Sequence, residues 1–430
     1  MLVSGVGPDG VDALLAALAC DSSVIRLGTS PPAIHPLLAF YKFAVLLESP
    51  HLLQFLGASH LFYFSYTGFD GGPPPYNYVP EADPDNFILT ASRARWVGQF
   101  WSLFTHHLQR QKPGVSFYAG RVPPWLSSEL RQVLSSFSVY CFQDPRDVWL
   151  SAKRQVQPAR GTKQVLDDCA LARNIALEFL QNFENYFAER SRSNVSLIGA
   201  EELTQDPAAL CRSMKNSAEI NTVDDHDPNS IPAVQKLKSS LQGWKQNPVP
   251  NEVMSLLLST VGDEMAWLRY ETAMDSIDRS RTIRFDNRAL NVSKFSIKQA
   301  RLEPQDDFTL VHVRGRDCHL VLPFEPFEAD AVKNIWVSVN TEVGEVCSIY
   351  WRSADKDFSE ERVVYQRLSP NQHWTVLSFP VHKHPQWKGN IAELRLDLFN
   401  VITRGWLRRW RSPYPAHRGV GRIRWVKLVP

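Results

Sequence analysis

Two short stretches of this sequence carry residue types that could hold or attack a charged group. The first, Gly5-Val6-Gly7-Pro8-Asp9-Gly10, separates an apolar run from a helix-forming one. A glycine turn at a helix start presents free backbone N–H groups and the positive end of the helix to an anion. Gly7 and Gly10 are the candidate cradle there. Asp9 and Asp12 suit a first helical turn, yet two carboxylates repel a phosphate unless they point away or share a divalent cation. The second stretch is Phe142-Gln143-Asp144-Pro145-Arg146-Asp147-Val148-Trp149-Leu150-Ser151, in which Gln143, Arg146 and Ser151 could read an oxyanion. His35 follows the second strand, where an open α/β sheet binds its ligands, and is the best placed histidine for a base. His60, His106 and His107 fit surface or core roles better.

The elements that must position these residues alternate in type. Met1–Val6 reads as a strand, Val11–Ala19 as a helix with Leu14, Leu15 and Leu18 on one face, and Val24–Leu27 as a second strand. Strand, glycine turn, helix and strand make a βαβ unit, hence a parallel sheet. Val115–Tyr118, Ser138–Phe142 and Val195–Ile198 are further buried strands, a helix runs from Val148, and Glu252–Tyr270 is a long amphipathic helix. Gly68–Pro84, rich in Gly, Pro, Asp and Tyr, reads as a surface loop. From about Thr282 the pattern changes to short strands: Phe308–Val313, Cys318–Leu322, Asn334–Asn340, Val346–Arg352, Arg362–Gln366, Trp374–Pro380, Ile391–Leu398 and Arg422–Leu428. That pattern implies an antiparallel two-sheet sandwich. The expected domains are residues 1–279, α/β, and 280–430, all-β.

The 430 residues suffice for two or three domains with real cores. The 47 basic and 45 acidic side chains nearly cancel, which argues against a whole-chain nucleic-acid binder. Six scattered cysteines without a CxxC pair read as reduced thiols, so no metal site is expected. No run of about 18 apolar residues suggests a membrane span. The N-terminus lacks the marks of a signal peptide, so a cytoplasmic protein is expected.

The order of motifs resembles that of sulfotransferases that use 3′-phosphoadenosine 5′-phosphosulfate (PAPS). The opening strand, glycine turn and helix come first. Then Gly120-Arg121-Val122-Pro123-Pro124-Trp125 stands where the family has Glu-Lys-Thr-Pro-x-Tyr. Gln143 to Ser151 is similar to its Arg-Asp-Pro-Arg-Asp-Val-x-x-Ser signature, which holds the 3′-phosphate. Glu201-Glu202-Leu203 with Asp206-Pro207, Ser240-Leu241-Gln242-Gly243-Trp244, and Gly262 to Glu271 match later elements. The resemblance covers residues 1 to about 272 and implies a P-loop-like parallel sheet with PAPS bound by Gly7, Asp9, Gly10, Asp12, Gln143, Arg146 and Ser151. Arg121, at the family's lysine position, and His35 are the candidate catalytic residues. Three departures stand out. Pro8 replaces the cation of the first loop, Gln143 replaces the signature arginine, and Gly28-Thr29-Ser30-Pro31 stands where a general base is expected. The implied function is sulfuryl transfer from PAPS to a glycan hydroxyl. The alternative is a catalytically degenerate sulfotransferase fold that binds a glycan or a partner enzyme in surface-polysaccharide assembly.

The second region has its own resemblance. Val346 to Trp351, Asp357-Phe358-Ser359-Glu360-Glu361, His373-Trp374 and Trp387-Lys388-Gly389-Asn390-Ile391 through Asp397 form an ordered set. It looks like the carbohydrate-binding-like sandwiches attached to bacterial glycan-assembly enzymes. Trp336, Trp351 and Trp374 lie in strand patterns and are expected in the core, whereas Trp406 and Trp410 are surface candidates. From Arg404 to Lys427 basic and aromatic residues interleave with no acid. Such a stretch suits an acidic polysaccharide or an anionic membrane surface, with peripheral attachment as the consequence, or is balanced by acids elsewhere in the domain.

Overall fold

The structure, a computed structural model, describes residues 2–6, 8–20, 24–27, 86–111, 117–121, 136–155, 167–217, 231–272, 279–315, 317–341, 346–368, 374–400 and 419–430. They fall into two compact units, Met1–Pro250 and Asn251–Pro430.

The first unit runs β1 (Leu2–Gly5), α1 (Pro8–Leu18), β2 (Val24–Leu27), α2 (Asn86–Gln111), β3 (Phe117–Arg121) and β4 (Ser138–Phe142). It continues with α3 (Pro145–Gln155), α4 (Asp168–Glu189), β5 (Val195–Gly199), α5 (Ala200–Gln205), α6 (Pro207–Ser217), α7 (Pro232–Ser240) and α8 (Gly243–Gln246). The sheet has the order β2-β3-β1-β4-β5 and every pair is parallel. From β1 the chain leaves through α1 to one edge, and from β3 it returns across β1 to β4. The strand order therefore reverses around β1, and the crevice beyond its carboxyl end is where such sheets take ligands. The expected parallel α/β sheet is present.

Residue alternation sorts the two faces of this sheet. Val139 and Cys141 of β4 join the buried cluster formed with Leu14, Leu15 and Leu18 of α1, Leu203 of α5 and Leu237 of α7. Tyr140 and Phe142 point the other way, to α4. The Phe142 ring lies 5.4 Å from Phe179, edge-on, and the Tyr140 hydroxyl donates to Glu189 at 3.0 Å. α1 and α3 both begin about three residues earlier than hydrophobic periodicity alone suggests, at Pro8 and Pro145. Proline fits a first helical turn because its φ is already helical and its missing N–H would have no partner there.

The second unit opens with α9 (Asn251–Trp267), followed by β6 (Thr282–Arg284), β7 (Ser296–Lys298), β8 (Ala300–Pro304), β9 (Thr309–Val313) and β10 (His319–Leu322). Then come β11 (Phe327–Glu328), β12 (Asn334–Thr341), β13 (Val346–Arg352), β14 (Val363–Arg367), β15 (Thr375–Phe379), β16 (Asn390–Ile391), β17 (Glu393–Asn400) and β18 (Gly419–Val429). Two antiparallel sheets, β14-β13-β17-β10-β7 and β15-β12-β18-β9-β8, carry the expected sandwich, and β6 pairs with β18. Cys347, Ile349 and Trp351 from one sheet and Ile335, Val337 and Val426 from the other fill a single core. Trp336, Trp351, Trp374, Trp387 and Trp425 are all buried.

Trp336, Trp425 and Lys427 lie on the opposite face of their sheet from that core, as the pairing Lys427↔Trp336 and Trp425↔Ser338 requires. α9 meets this face. The Lys427 ammonium donates to both Glu264 oxygens at 3.0 Å and to the Thr260 carbonyl at 2.7 Å, fully enclosed. Arg284 of β6 pairs with Asp263 at 2.7 Å. These interactions lie within the second compact unit, which begins at Asn251, whereas the domains expected from composition part at 279/280. They also remove part of the expected basic surface. Arg422 donates to Asn340, Arg424 lies over the Trp374 ring and reaches Asp307, and Lys427 is spent on Glu264. Residues 404–418, with Trp406 and Trp410, lie outside the described residues.

Candidate functional site

Four of the residues singled out from sequence converge at the carboxyl edge of the parallel sheet. Gly5 ends β1 so close to β4 that a Cβ there would lie 2.1 Å from the Cys141 carbonyl oxygen. Only glycine lets the two strands approach in this way. The chain then turns directly into α1, which puts Asp9 in its first turn beside the residues that follow β4.

Asp9 is enclosed, and each of its two carboxylate oxygens has a partner. Oδ2 accepts from the Ser151 hydroxyl of α3 at 2.6 Å. Oδ1 accepts from the Lys236 ammonium of α7 at 2.7 Å, and Lys236 itself is 64% exposed. Gln143 is 1% exposed, and its Nε2 donor has no hydrogen-bond partner among the described residues. Its amide end lies by the first turn of α1, since a Cβ on Gly10 would come 3.8 Å from Gln143 Oε1. Asp12 lies within α1, half-buried.

The next layer is acidic. Asp144 holds Arg146 through Nε–Oδ1 at 2.9 Å, Nη2–Oδ2 at 2.6 Å and the Arg146 backbone N–H at 2.9 Å. The guanidinium carbon lies 3.7 Å from the centroid of the Trp244 ring. Arg146 is thus a buried cation bound by Asp144, rather than the free oxyanion reader that the sequence suggests. Asp147 accepts from the backbone N–H of Gln242 at 2.7 Å and of Trp244 at 3.2 Å, tying the start of α8 to α3. Burial, then the neighbouring Asp144 charge, pushes the Asp147 carboxyl up to about 6. Glu201, at the start of α5 beyond β5, is pushed up to about 7, mainly by burial and further by Asp144, Asp147 and Glu202. Beside Asp144, these two carboxyls hold their protons to higher pH than ordinary carboxyls do, so near neutral pH they add less negative charge than their number implies.

Arg121 is the last residue of β3, and its side chain lies outside the described part, as do His35 and Gly7. Sequence reading missed Lys236 as a site residue. It lies 227 positions from Asp9 in a polar helix without a motif. Asp147 and Glu201 stood inside quoted motifs, but only the structure reveals their burial.

No family model matches the chain, and no curated protein matches it. Among solved structures, a sulfotransferase domain from the curacin biosynthetic pathway is 16% identical and covers 63% of this chain and 98% of its own, with a TM-score of 0.38. The chain resembles sulfotransferase domains. A retinol dehydratase in complex with androsterone and the inactive cofactor PAP is 10% identical, covering 61% of this chain and 80% of its own at a TM-score of 0.32. A low-affinity xylan-binding module from Roseburia intestinalis matches 32% of the chain and 91% of itself, at 13% identity and a TM-score of 0.23.

Proposed function

We propose that the protein is a sulfotransferase-fold protein that has given up PAPS-dependent transfer and serves as a carbohydrate-binding protein. One observation carries the reading: the Ser151 hydroxyl, retained at the end of the 3′-phosphate signature, is bonded to the chain's own Asp9 carboxylate at 2.6 Å. The residues present do not fit the cofactor. The first loop brings a carboxylate instead of a cation, Gln143 offers a neutral donor where a guanidinium is expected, and Arg146 is bound by Asp144. Each charge-assisted hydrogen bond to the phosphate that is missing for these reasons would be worth on the order of 1.5–3 kcal/mol.

The carbohydrate half of the reading rests on the sandwich and on the motif order by which it resembles glycan-binding modules. With the described tryptophans of the sandwich buried, the candidate stacking ring is Tyr365 of β14, 51% exposed. Its hydroxyl donates to Glu360 at 2.8 Å, which fixes the ring before any sugar arrives. The test is a sulfuryl-transfer assay with PAPS run beside affinity electrophoresis in a panel of neutral polysaccharides. Retardation by at least one polysaccharide, abolished by Tyr365→Ala, with no sulfate incorporated, is the expected pattern. Incorporation of sulfate would overturn it.

A further inference from the structure

We propose that Asp9 is an internal ligand that fills an oxyanion site, so that the protein binds small inorganic oxyanions there only once that carboxylate is removed. The inference rests on the preceding reading and concerns the same crevice.

Three observations carry it. The Asp9 carboxylate behaves as a bound anion would, with one oxygen on the Ser151 hydroxyl and the other on the Lys236 ammonium. These donors come from α3 and α7, far from Asp9 in sequence, so the arrangement belongs to the fold and not to a local turn. Secondly, Asp9 stands in the first turn of the eleven-residue helix α1, where free N–H groups and the helix dipole favour negative charge. Thirdly, a buried donor is left over. Gln143 Nε2 is enclosed beside that turn and bonded to none of the described residues. A buried amide donor without an acceptor costs free energy, and natural structures rarely keep one without a use. A carboxylate with two oxygens serves two donors; a tetrahedral oxyanion, with a third and fourth oxygen, could also serve Gln143. The exposed Lys236 gives such an ion a route from solvent.

The chemistry of the site therefore selects compact oxyanions, sulfate or phosphate, and excludes them as long as Asp9 is present. The two possible sources of that group are a free inorganic ion and the phosphate of a nucleotide. Equilibrium dialysis of the full chain with radiolabelled inorganic sulfate, and in parallel with adenosine 3′,5′-bisphosphate, separates them. Asp9→Gly should bind sulfate roughly tenfold or more tightly than the unchanged protein, the size expected for one charge-assisted hydrogen bond made available to the ion. Ser151→Ala or Lys236→Ala placed on top of Asp9→Gly should cancel the increase. Asp9→Asn, which keeps the volume and the helix propensity but not the charge, serves if the glycine variant does not fold, and should show a smaller increase. A folded variant with no increase overturns the inference, and so does an increase that survives the removal of both Ser151 and Lys236. Bisphosphate bound by the unchanged protein overturns both this inference and the proposed function. Its absence from the unchanged protein, with no sulfate binding acquired on substitution, overturns this inference alone.

Discussion

At the residue scale, the crevice is governed by which carboxylates have partners and which are only buried. Asp9 and Asp144 each face a cation, whereas among the described residues Asp147 accepts only from backbone N–H groups, and its carboxyl rises to about 6. A raised carboxyl pKa means that the folded state holds the proton more tightly than the unfolded one. Its contribution to stability is complete below the ordinary carboxylate range and fades as pH rises through about 6. Asp147→Asn cannot titrate. In urea unfolding it should gain on the parent by on the order of 2–3 kcal/mol between pH 4 and pH 7.5, on top of a constant cost for the altered hydrogen bonds. Parallel pH profiles for the two proteins would contradict the burial of Asp147. A second expectation concerns Gly5. Its would-be Cβ meets backbone and not a flexible side chain, so Gly5→Ala should cost about 1–3 kcal/mol or more in the same measurement. The acids near the helix starts were legible in the sequence because proline, glycine and acidic residues mark such places. The Asp9–Lys236 pair was not, since nothing local encodes an ion pair across 227 positions.

At the scale of elements, the βαβ opening and eight of the sandwich strands were legible because short runs rich in Val, Ile, Trp and Leu, bounded by polar turns, mark buried strands. The two- and three-residue strands β6, β7, β11 and β16 were not, being too short to show a pattern, and the five-residue β8 was missed as well. α9 was legible as a helix but not as a partner of the sandwich. Its membership follows from Lys427, whose buried ammonium needs Glu264. Lys427→Ala should therefore destabilise the second unit by about 3–5 kcal/mol, since it strands a buried carboxylate, while Lys427→Met combined with Glu264→Leu should be nearly neutral. The corresponding fragment experiment is simple. Residues 251–430 should give a cooperative thermal transition, and residues 280–430, lacking α9, should not. A stable, cooperative 280–430 fragment would return the boundary to the place that composition suggests.

At the scale of the whole molecule, a parallel sheet with a crevice at its carboxyl edge and a sandwich that exposes the anchored Tyr365 ring among its described residues are joined in one chain. No helix among the described residues is long and apolar enough to cross a membrane. The motif order carried the architecture from sequence to structure, because strands and turns fix the path of the chain. It did not carry the chemistry, because the same strand-turn-helix frame holds a cation in one sequence and a carboxylate in another. Whether the crevice of this chain still takes a nucleotide is decided most directly by calorimetric titration of the intact protein with adenosine 3′,5′-bisphosphate. With Asp9 seated on Ser151, no binding heat should appear even at ligand concentrations of about 1 mM, where a site with a millimolar Kd would already be half filled. A saturating one-site isotherm that disappears in Ser151→Ala would contradict that prediction and restore the crevice as a working cofactor site.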